Sequence, residues 1–241
     1  MSCEWEGSAF FWSLFCFFKK GCHSQLITHQ MSLFDDTELF SPGSPEPVRY
    51  DLPDAELIYM GAFMNKEAAD NYYRDLYDNT PWKASQITIY GKVHDTPRLI
   101  AWYGDTDKTY AFSGTKLDPH PWTPALLQLK NKVEEAAGTS FNSVLLNLYR
   151  NGHDSVGWHR DNEKEFGPRP VIASVSFGET RPFHLRHKFQ KEVPRLTLPL
   201  SHGSLLIMKG DTQHSWEHAI PKTTREIKPR INLTFRYIHT V

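Results

Sequence analysis

Asn151-Gly152-His153-Asp154-Ser155-Val156-Gly157-Trp158-His159-Arg160-Asp161-Asn162-Glu163 is the stretch around which the chain is organised. His159 and Asp161 stand two positions apart. In an extended strand alternate side chains share a face, so an imidazole and a carboxylate would project together. Two such groups are two-thirds of the facial triad that binds non-haem Fe(II) and leaves coordination positions open. His-x-Asp also arises by chance on surface strands that hold no metal, and the pair alone does not decide between the two.

The last strand does more. Over Arg230 to Tyr237, Ile231, Leu233, Phe235 and Tyr237 fall on one face and Arg230, Asn232, Thr234 and Arg236 on the other. Strict alternation of this length predicts a strand. Its polar face has two readings: a solvated surface, or two guanidinium groups directed into a barrel to hold an anion. Arg suits the second, since its planar fork pairs a carboxylate through two parallel bonds.

Together these segments resemble the AlkB family of Fe(II)- and 2-oxoglutarate-dependent dioxygenases. Arg230 to Arg236 stands where the family has Arg-x-Asn-Leu-Thr-Phe-Arg, and His159-Arg160-Asp161, followed by Glu163, where it has its metal motif. Asn147-Leu148-Tyr149 matches its preceding strand and Ala173-Ser174-Val175-Ser176-Phe177-Gly178 its middle segment. Trp216-Glu217-His218, just after Gly203-Ser204-Leu205-Leu206-Ile207-Met208, matches its distal histidine. The likeness runs from about Trp82 to the end and is strongest to vertebrate members that repair alkylated nuclear DNA.

The resemblance implies that His159, Asp161 and His218 ligate Fe(II), leaving three positions for 2-oxoglutarate and dioxygen. His202 and His214 are also in range, and alternation puts His214, Trp216 and His218 on one face, so strand parity cannot separate those imidazoles. The family's Trp-x-His selects His218. Asn147 and Tyr149 are implied as hydrogen-bond donors to 2-oxoglutarate. Arg230 would take its distal carboxylate and Arg236 the one chelated at iron, with Asn232 and Thr234 between them. Six strand residues cover about 20 Å, far more than a five-carbon diacid, so both arginines must lean inward.

The implied reaction is oxidative dealkylation of 1-methyladenine or 3-methylcytosine in DNA. The N-alkyl group is hydroxylated and lost as formaldehyde, while 2-oxoglutarate gives succinate and carbon dioxide. A base inside a duplex cannot reach the metal and must be extruded. Tyr110 and Phe112, with Ser113, are implied as walls of the base pocket, stacking being worth about 1–3 kcal/mol per base. Ile89, Tyr90 and Gly91 form a hairpin tip with Tyr90 as the wedge into the base stack. Arg98, Asn162 and Glu163 complete the substrate set; Asn162 departs from the acidic residue the homologues carry, and Glu163 retains the family acid. Val93 and Ile100 depart from the duplex-acting pattern, which leaves strand preference open. The alternatives are a dioxygenase acting on methylated RNA or protein, and a barrel that binds metal or nucleic acid without catalysis.

At 241 residues the chain is long enough for one substantial core with an appended subdomain. A net charge of −1 announces no nucleic-acid partner globally. A local basic surface is open between Arg181 and Arg195, where Arg181, Arg186, Lys188, Lys191 and Arg195 face only Glu192; a solvated hairpin reads equally well. The three cysteines, Cys3, Cys16 and Cys22, all precede residue 30, so disulfides do not hold the fold, and a reducing cytosol, or a nucleus, is the expected setting. The apolar run from Ala9 to Phe18 is too short to span a bilayer, and its acidic-then-basic flanks are the reverse of a secretory signal. Met31 is a candidate start, and residues 1–30 are expected to be disordered. A monomer without membrane contact is expected.

Four prolines between Phe40 and Pro53 suggest a linker or entry arm. A short strand follows over Asp54 to Phe63, then a helix capped by Asn65 with Ala68, Ala69, Tyr72, Tyr73 and Leu76 at helical spacing. Ser85 to Val93 reads as a strand pair. Thr123 and Pro124 open a second helix that stops at Gly138 and buries Leu126, Leu129, Val133 and Ala137. Eight strands come next: Asn142–Arg150, Val156–Asp161, Val171–Gly178, Phe183–Lys188, Leu196–Leu200, Ser204–Met208, Ser215–Ile220 and Arg230–Tyr237. The expected fold is α+β and mostly β, a double-stranded β-helix (jelly roll) over 116–241. Residues 31–115 form an N-terminal arm and a helix/hairpin nucleotide-recognition lid.

Overall fold

Both faces of the closing strand are buried from Arg230 to Arg236, which already excludes a solvated polar face. The computed structural model describes residues 46–89, 92–105, 110–112, 115–117 and 119–239. In order, the elements are β1 (Val48–Leu52), β2 (Ala55–Met60), α1 (Lys66–Asn79), β3 (Lys83–Ile89), β4 (Lys92–Gly104), β5 (Tyr110–Phe112), β6 (Thr115–Leu117) and α2 (Pro124–Ala137). Then come β7 (Ser143–Tyr149), β8 (Val156–His159), β9 (Ile172–Gly178), β10 (Arg181–His187), β11 (Leu196–Leu200), β12 (Ser204–Lys209), α3 (Thr212–Ser215), β13 (Trp216–Ile220) and β14 (Arg230–Arg236). All eight strands expected after residue 141 are present, with ends shifted by at most two residues.

One sheet runs β1-β2-β12-β9-β14-β7-β4-β3, and a second runs β11-β10-β13-β8. From β7 onward the chain passes back and forth between them with antiparallel pairing, which is the jelly-roll arrangement. The two long helices, α1 and α2, form as their caps dictate. The Asn65 side chain accepts from the Ala68 N–H, Thr123 accepts from the Leu126 N–H, and Gly138 closes α2 at φ 66°.

The apolar core lies between the large sheet and these helices. Ile231, Leu233 and Phe235 of β14 join Leu146, Val175, Leu129 and Val133 there, all fully buried. The opposite face of the same strands carries Asn147, Ser174, Arg230, Asn232 and Thr234 toward the second sheet. Period-2 alternation thus sends apolar groups to the helices and polar groups into the space between sheets.

Four expectations need correction. The proposed linker contains β1, paired with β2 from Val48 opposite Tyr59 to Leu52 opposite Ala55, and its Pro53 carbonyl accepts from the Trp216 indole at 2.7 Å. Arg181 is 2% exposed and contributes nothing to a basic surface. Tyr237 falls outside β14 and is 45% exposed, so it does not extend the apolar face. The boundary drawn at 115/116 crosses one continuous sheet, since β2 pairs with β12 and β4 with β7. Residues 1–45, including the apolar run and Met31, lie outside the described residues.

Candidate active site

β8 ends at His159, directly opposite His218 of β13, and the two rings lie 4.3 Å apart at 64°. Asp161 lies two residues beyond the strand, so alternation is not what turns it inward. Instead its carboxylate accepts from Arg236 Nη2 at 2.7 Å and Nε at 3.2 Å, and its backbone N–H donates to Gln213 Oε1 at 3.0 Å. His159, Asp161 and His218 each offer a ligand atom, all within 4.8 Å of one another, the one such group among the described residues. His159 Nδ1 sits 2.8 Å from the Gly157 carbonyl. A carbonyl can only accept, which assigns the ring proton to Nδ1 and leaves Nε2 for a metal. Phe183 stacks on His218 at 5.1 Å and 29°.

The electrostatics suit a cation. Burial alone would raise the Asp161 pKa, but the Arg236 guanidinium and the two imidazoles outweigh it and hold the carboxyl well below the usual carboxylate range. His218 is pushed down to about 3, first by burial and then by His159. An ionised carboxylate beside a neutral buried imidazole is the protonation state a metal requires.

The other two histidines are elsewhere. His202 Nδ1 accepts from the Gly178 N–H, and its Nε2 faces Asp70 at 3.1 Å. His214 belongs to α3 rather than to a strand, so parity does not apply to it; its ring meets the Pro168 carbonyl.

The metal-ligand group opens on a cavity of about 370 Å³ between the sheets. At its other end Arg230, 1% exposed, donates Nη2 to Ser176 Oγ at 2.9 Å, while its Nε and Nη1 have no hydrogen-bond partner among the described residues. Its guanidinium lies 5.2 Å from the Tyr149 ring centroid. Burial pulls its pKa down to about 10, so it stays charged at neutral pH. A buried cation with unsatisfied donors facing a cavity calls for an anion. Asn147 is close by, with its Oδ1 accepting from Arg98 Nε at 2.8 Å, which leaves its amide nitrogen as donor.

The remaining expected residues divide. Asn232 and Thr234 line the cavity but bond within the protein: Thr234 donates to Asn232 Oδ1, and Asn232 donates to Ser174 Oγ and the Val175 carbonyl. Arg98, expected among the substrate contacts, is buried against Asn147 and the Ser155 carbonyl and lines the same cavity. Glu163 lines the cavity, whereas Asn162 is exposed and does not. Tyr90, Gly91 and Ser113 lie outside the described residues; Ile89, Tyr110 and Phe112 are placed on β3 and β5 by their backbone alone. Sequence reasoning missed Gln213 and the paired serines Ser174 and Ser176. The serines were legible as alternate polar positions in an otherwise apolar strand. Gln213 carried no such signal.

Comparison with known proteins agrees with this geometry. The family model described as "2OG-FeII_Oxy_2: 2OG-Fe(II) oxygenase superfamily" matches residues 56–236. Alpha-ketoglutarate-dependent dioxygenase alkB homolog 3 of Bos taurus is 46% identical over 184 residues, covering 73% of this chain and 64% of that protein. DNA oxidative demethylase ALKBH2 of Mus musculus is 43% identical over 182 residues, covering 72% of this chain and 76% of that protein. This chain belongs to the AlkB family of 2OG-Fe(II) oxygenases.

The solved structure of OsALKBH1 is 15% identical, covers 79% of this chain and 100% of its own, and superposes with a TM-score of 0.57, which bears on the fold. The chain spans just under two thirds of the length of its alkB homolog 3 relative from Bos taurus. AlkB membership implies Fe(II), 2-oxoglutarate and dioxygen. Two imidazoles and a carboxylate suit Fe(II), and the unsatisfied donors of Arg230 suit a carboxylate. Among the described residues no helix is long and apolar enough to cross a membrane.

Proposed function

We propose that the protein removes N-alkyl groups oxidatively from bases in DNA, acting on lesions such as 1-methyladenine and 3-methylcytosine. One observation carries the reading: a three-residue metal set and a buried arginine with unsatisfied donors face a single cavity. The names of its relatives, among them a DNA oxidative demethylase, support the substrate class.

In this reading His159, Asp161 and His218 hold Fe(II), which with 2-oxoglutarate and dioxygen supplies an oxidant able to hydroxylate an N-alkyl C–H bond. Arg230 pairs the distal carboxylate of the cosubstrate, the Tyr149 ring packs against that guanidinium, and the Asn147 amide donates beside it. Arg236, expected from the family resemblance to take the iron-chelated carboxylate of 2-oxoglutarate, instead directs Nε and Nη2 to Asp161 Oδ2 and acts at the iron end by holding that carboxylate ionised and aimed. Leu145, Leu200, Met208 and Ile220 wall the cavity and exclude water from the reacting atoms. The balance is closed: one oxygen atom enters the alkyl group and the other enters succinate as carbon dioxide leaves. The hydroxylated methyl then departs as formaldehyde: the N–C bond breaks, its electron pair stays on the ring nitrogen, and the hydroxyl proton is released.

The lesion reaches this cavity by extrusion from its strand, a step that a methylated pairing edge has already made easier. On the family resemblance the base-pocket role would fall to Tyr110, Phe112 and Ser113 and the wedge role to Ile89, Tyr90 and Gly91, while Glu163 lines the cavity. The protein acts as a monomer in this account.

The test is reconstitution with Fe(II) under anaerobic conditions, then exposure to air with 2-oxoglutarate and single- or double-stranded oligonucleotides carrying each lesion. Formaldehyde and restored base in equal amounts are expected from DNA. Formaldehyde from methylated RNA or a methylated protein lysine, but none from DNA, overturns the substrate assignment.

A further inference from the structure

The carboxylate of Asp161 has no strand to hold it. Pairing of β8 with β13 closes where His159 faces His218, so the Asp161 N–H lacks the ladder partner that a longer strand would supply. A buried backbone N–H needs a partner. Gln213, which is 0% exposed, provides it through Oε1 at 3.0 Å. The other end of the same amide donates Nε2 to Met208 Sδ at 3.4 Å, and Met208 is a wall of the cavity. With nitrogen on the thioether, oxygen is turned toward Asp161.

A second tie runs beside the first. Arg160 Nη1 donates to the His214 carbonyl at 2.6 Å. Two consecutive residues of the ligand loop are therefore fastened to two consecutive residues of α3. That turn runs directly into β13, which carries His218. Residues 213–218 thus hold one metal ligand and brace the backbone of another.

We propose that Gln213 is a positioning residue for the metal site, fixing the root of the Asp161 side chain relative to His218. The proposal rests on the metal-site reading above. Arg236 sets the rotation and charge of the carboxylate, whereas Gln213 is neutral and acts by geometry alone. Residues that orient metal ligands in this way change metal affinity when altered, even though they never touch the ion.

The test is Mn(II) binding to the metal-free protein, followed by the electron paramagnetic resonance signal of free Mn(II), with a thermal melt of each sample before metal is added. Gln213→Met keeps length and bulk but removes the acceptor; it is expected to raise the Mn(II) dissociation constant by about tenfold or more. Gln213→Glu, kept protonated by burial and by the neighbouring Asp161 carboxylate, retains a neutral acceptor at the same reach and is expected to bind close to the parent. Should Gln213→Met not fold, Gln213→Asn, whose shorter amide cannot span the gap, carries the same expectation. A folded Gln213→Met that binds Mn(II) like the parent overturns the proposal, and so does a Gln213→Glu as weak as Gln213→Met, which would make the role one of packing. A parent that takes up no Mn(II) is a different failure, that of the metal site itself.

Discussion

Arg236 donates to Asp161 through both Nη2 and Nε, and both bonds land on Oδ2. Oδ1 is left on the side of His159 Nε2, 3.9 Å away. The last residue of the closing strand therefore neutralises the carboxylate of the metal set, and the two motifs of the sequence meet in one buried ion pair. Breaking such a pair leaves an unpaired buried charge, at roughly 3–5 kcal/mol. Arg236→Met is expected to destabilise the metal-free protein by about that amount, with Mn(II) restoring more of the loss than it adds to the parent. Urea denaturation with and without Mn(II) measures both effects, and an unchanged midpoint in the metal-free variant counts against the pairing.

Arg230 predicts a different signature. Its free donors face the far end of the cavity from the metal set, so Arg230→Ala should raise the 2-oxoglutarate requirement far more than the iron requirement. Loss of a buried charge-paired donor set is worth at least about 2 kcal/mol, or roughly 30-fold in apparent affinity. Succinate formation titrated against each component separates the two. Equal losses in both would remove Arg230 from the cosubstrate.

Acidification should destabilise the metal-free protein. The folded pKa of His218 lies near 3, below its ordinary 6.5, so the unfolded chain takes up the proton first. This contribution is complete above pH 6.5 and is lost as pH falls from there toward 3. Asp161, also depressed, adds loss in the same direction at still lower pH. Between about pH 7 and about pH 5 the His218 part amounts to roughly 2 kcal/mol. Denaturant midpoints across that range should fall for the parent and flatten for His218→Asn; a parent insensitive to pH there contradicts a neutral buried imidazole.

Gly152 stands where no side chain fits. A Cβ there would lie 2.4 Å from the Thr223 carbonyl oxygen and 2.9 Å from that of Arg225, and the Gly152 carbonyl accepts from the Thr223 N–H at 2.8 Å. Arg181 fastens the same region, donating to the carbonyls of Asn151, Asp154 and Pro221. Gly152→Ala should therefore cost about 1–3 kcal/mol by overpacking. A thermal melt that does not move would show that the loop yields freely.

Local pattern made the core elements legible. Alternation over Arg230 to Arg236 and the cap signals at Asn65, Thr123 and Gly138 each translate directly into hydrogen bonds or burial. Readings failed where tertiary pairing overrides local composition. Prolines around Val48–Leu52 suggested a linker, yet an edge strand tolerates prolines at its ends and β2 supplied the partner. Arg181 read as surface charge because composition cannot show the three carbonyls that enclose it. Asp161 was expected inside a strand, but the ladder stops at His159 and the inward turn depends on Gln213 and Arg236, which lie 52 and 75 residues away in sequence.

The most direct test is an anaerobic titration with Fe(II) in the presence of 2-oxoglutarate, followed by the visible charge-transfer absorption that an iron–2-oxo acid chelate gives. The account predicts that the parent develops this band to saturation at one iron per chain. His218→Ala should fail to develop it at the same iron concentration, and Arg230→Ala should develop it only at much higher 2-oxoglutarate. A band retained in His218→Ala, or absent from the parent, would contradict the convergence of these residues on one iron.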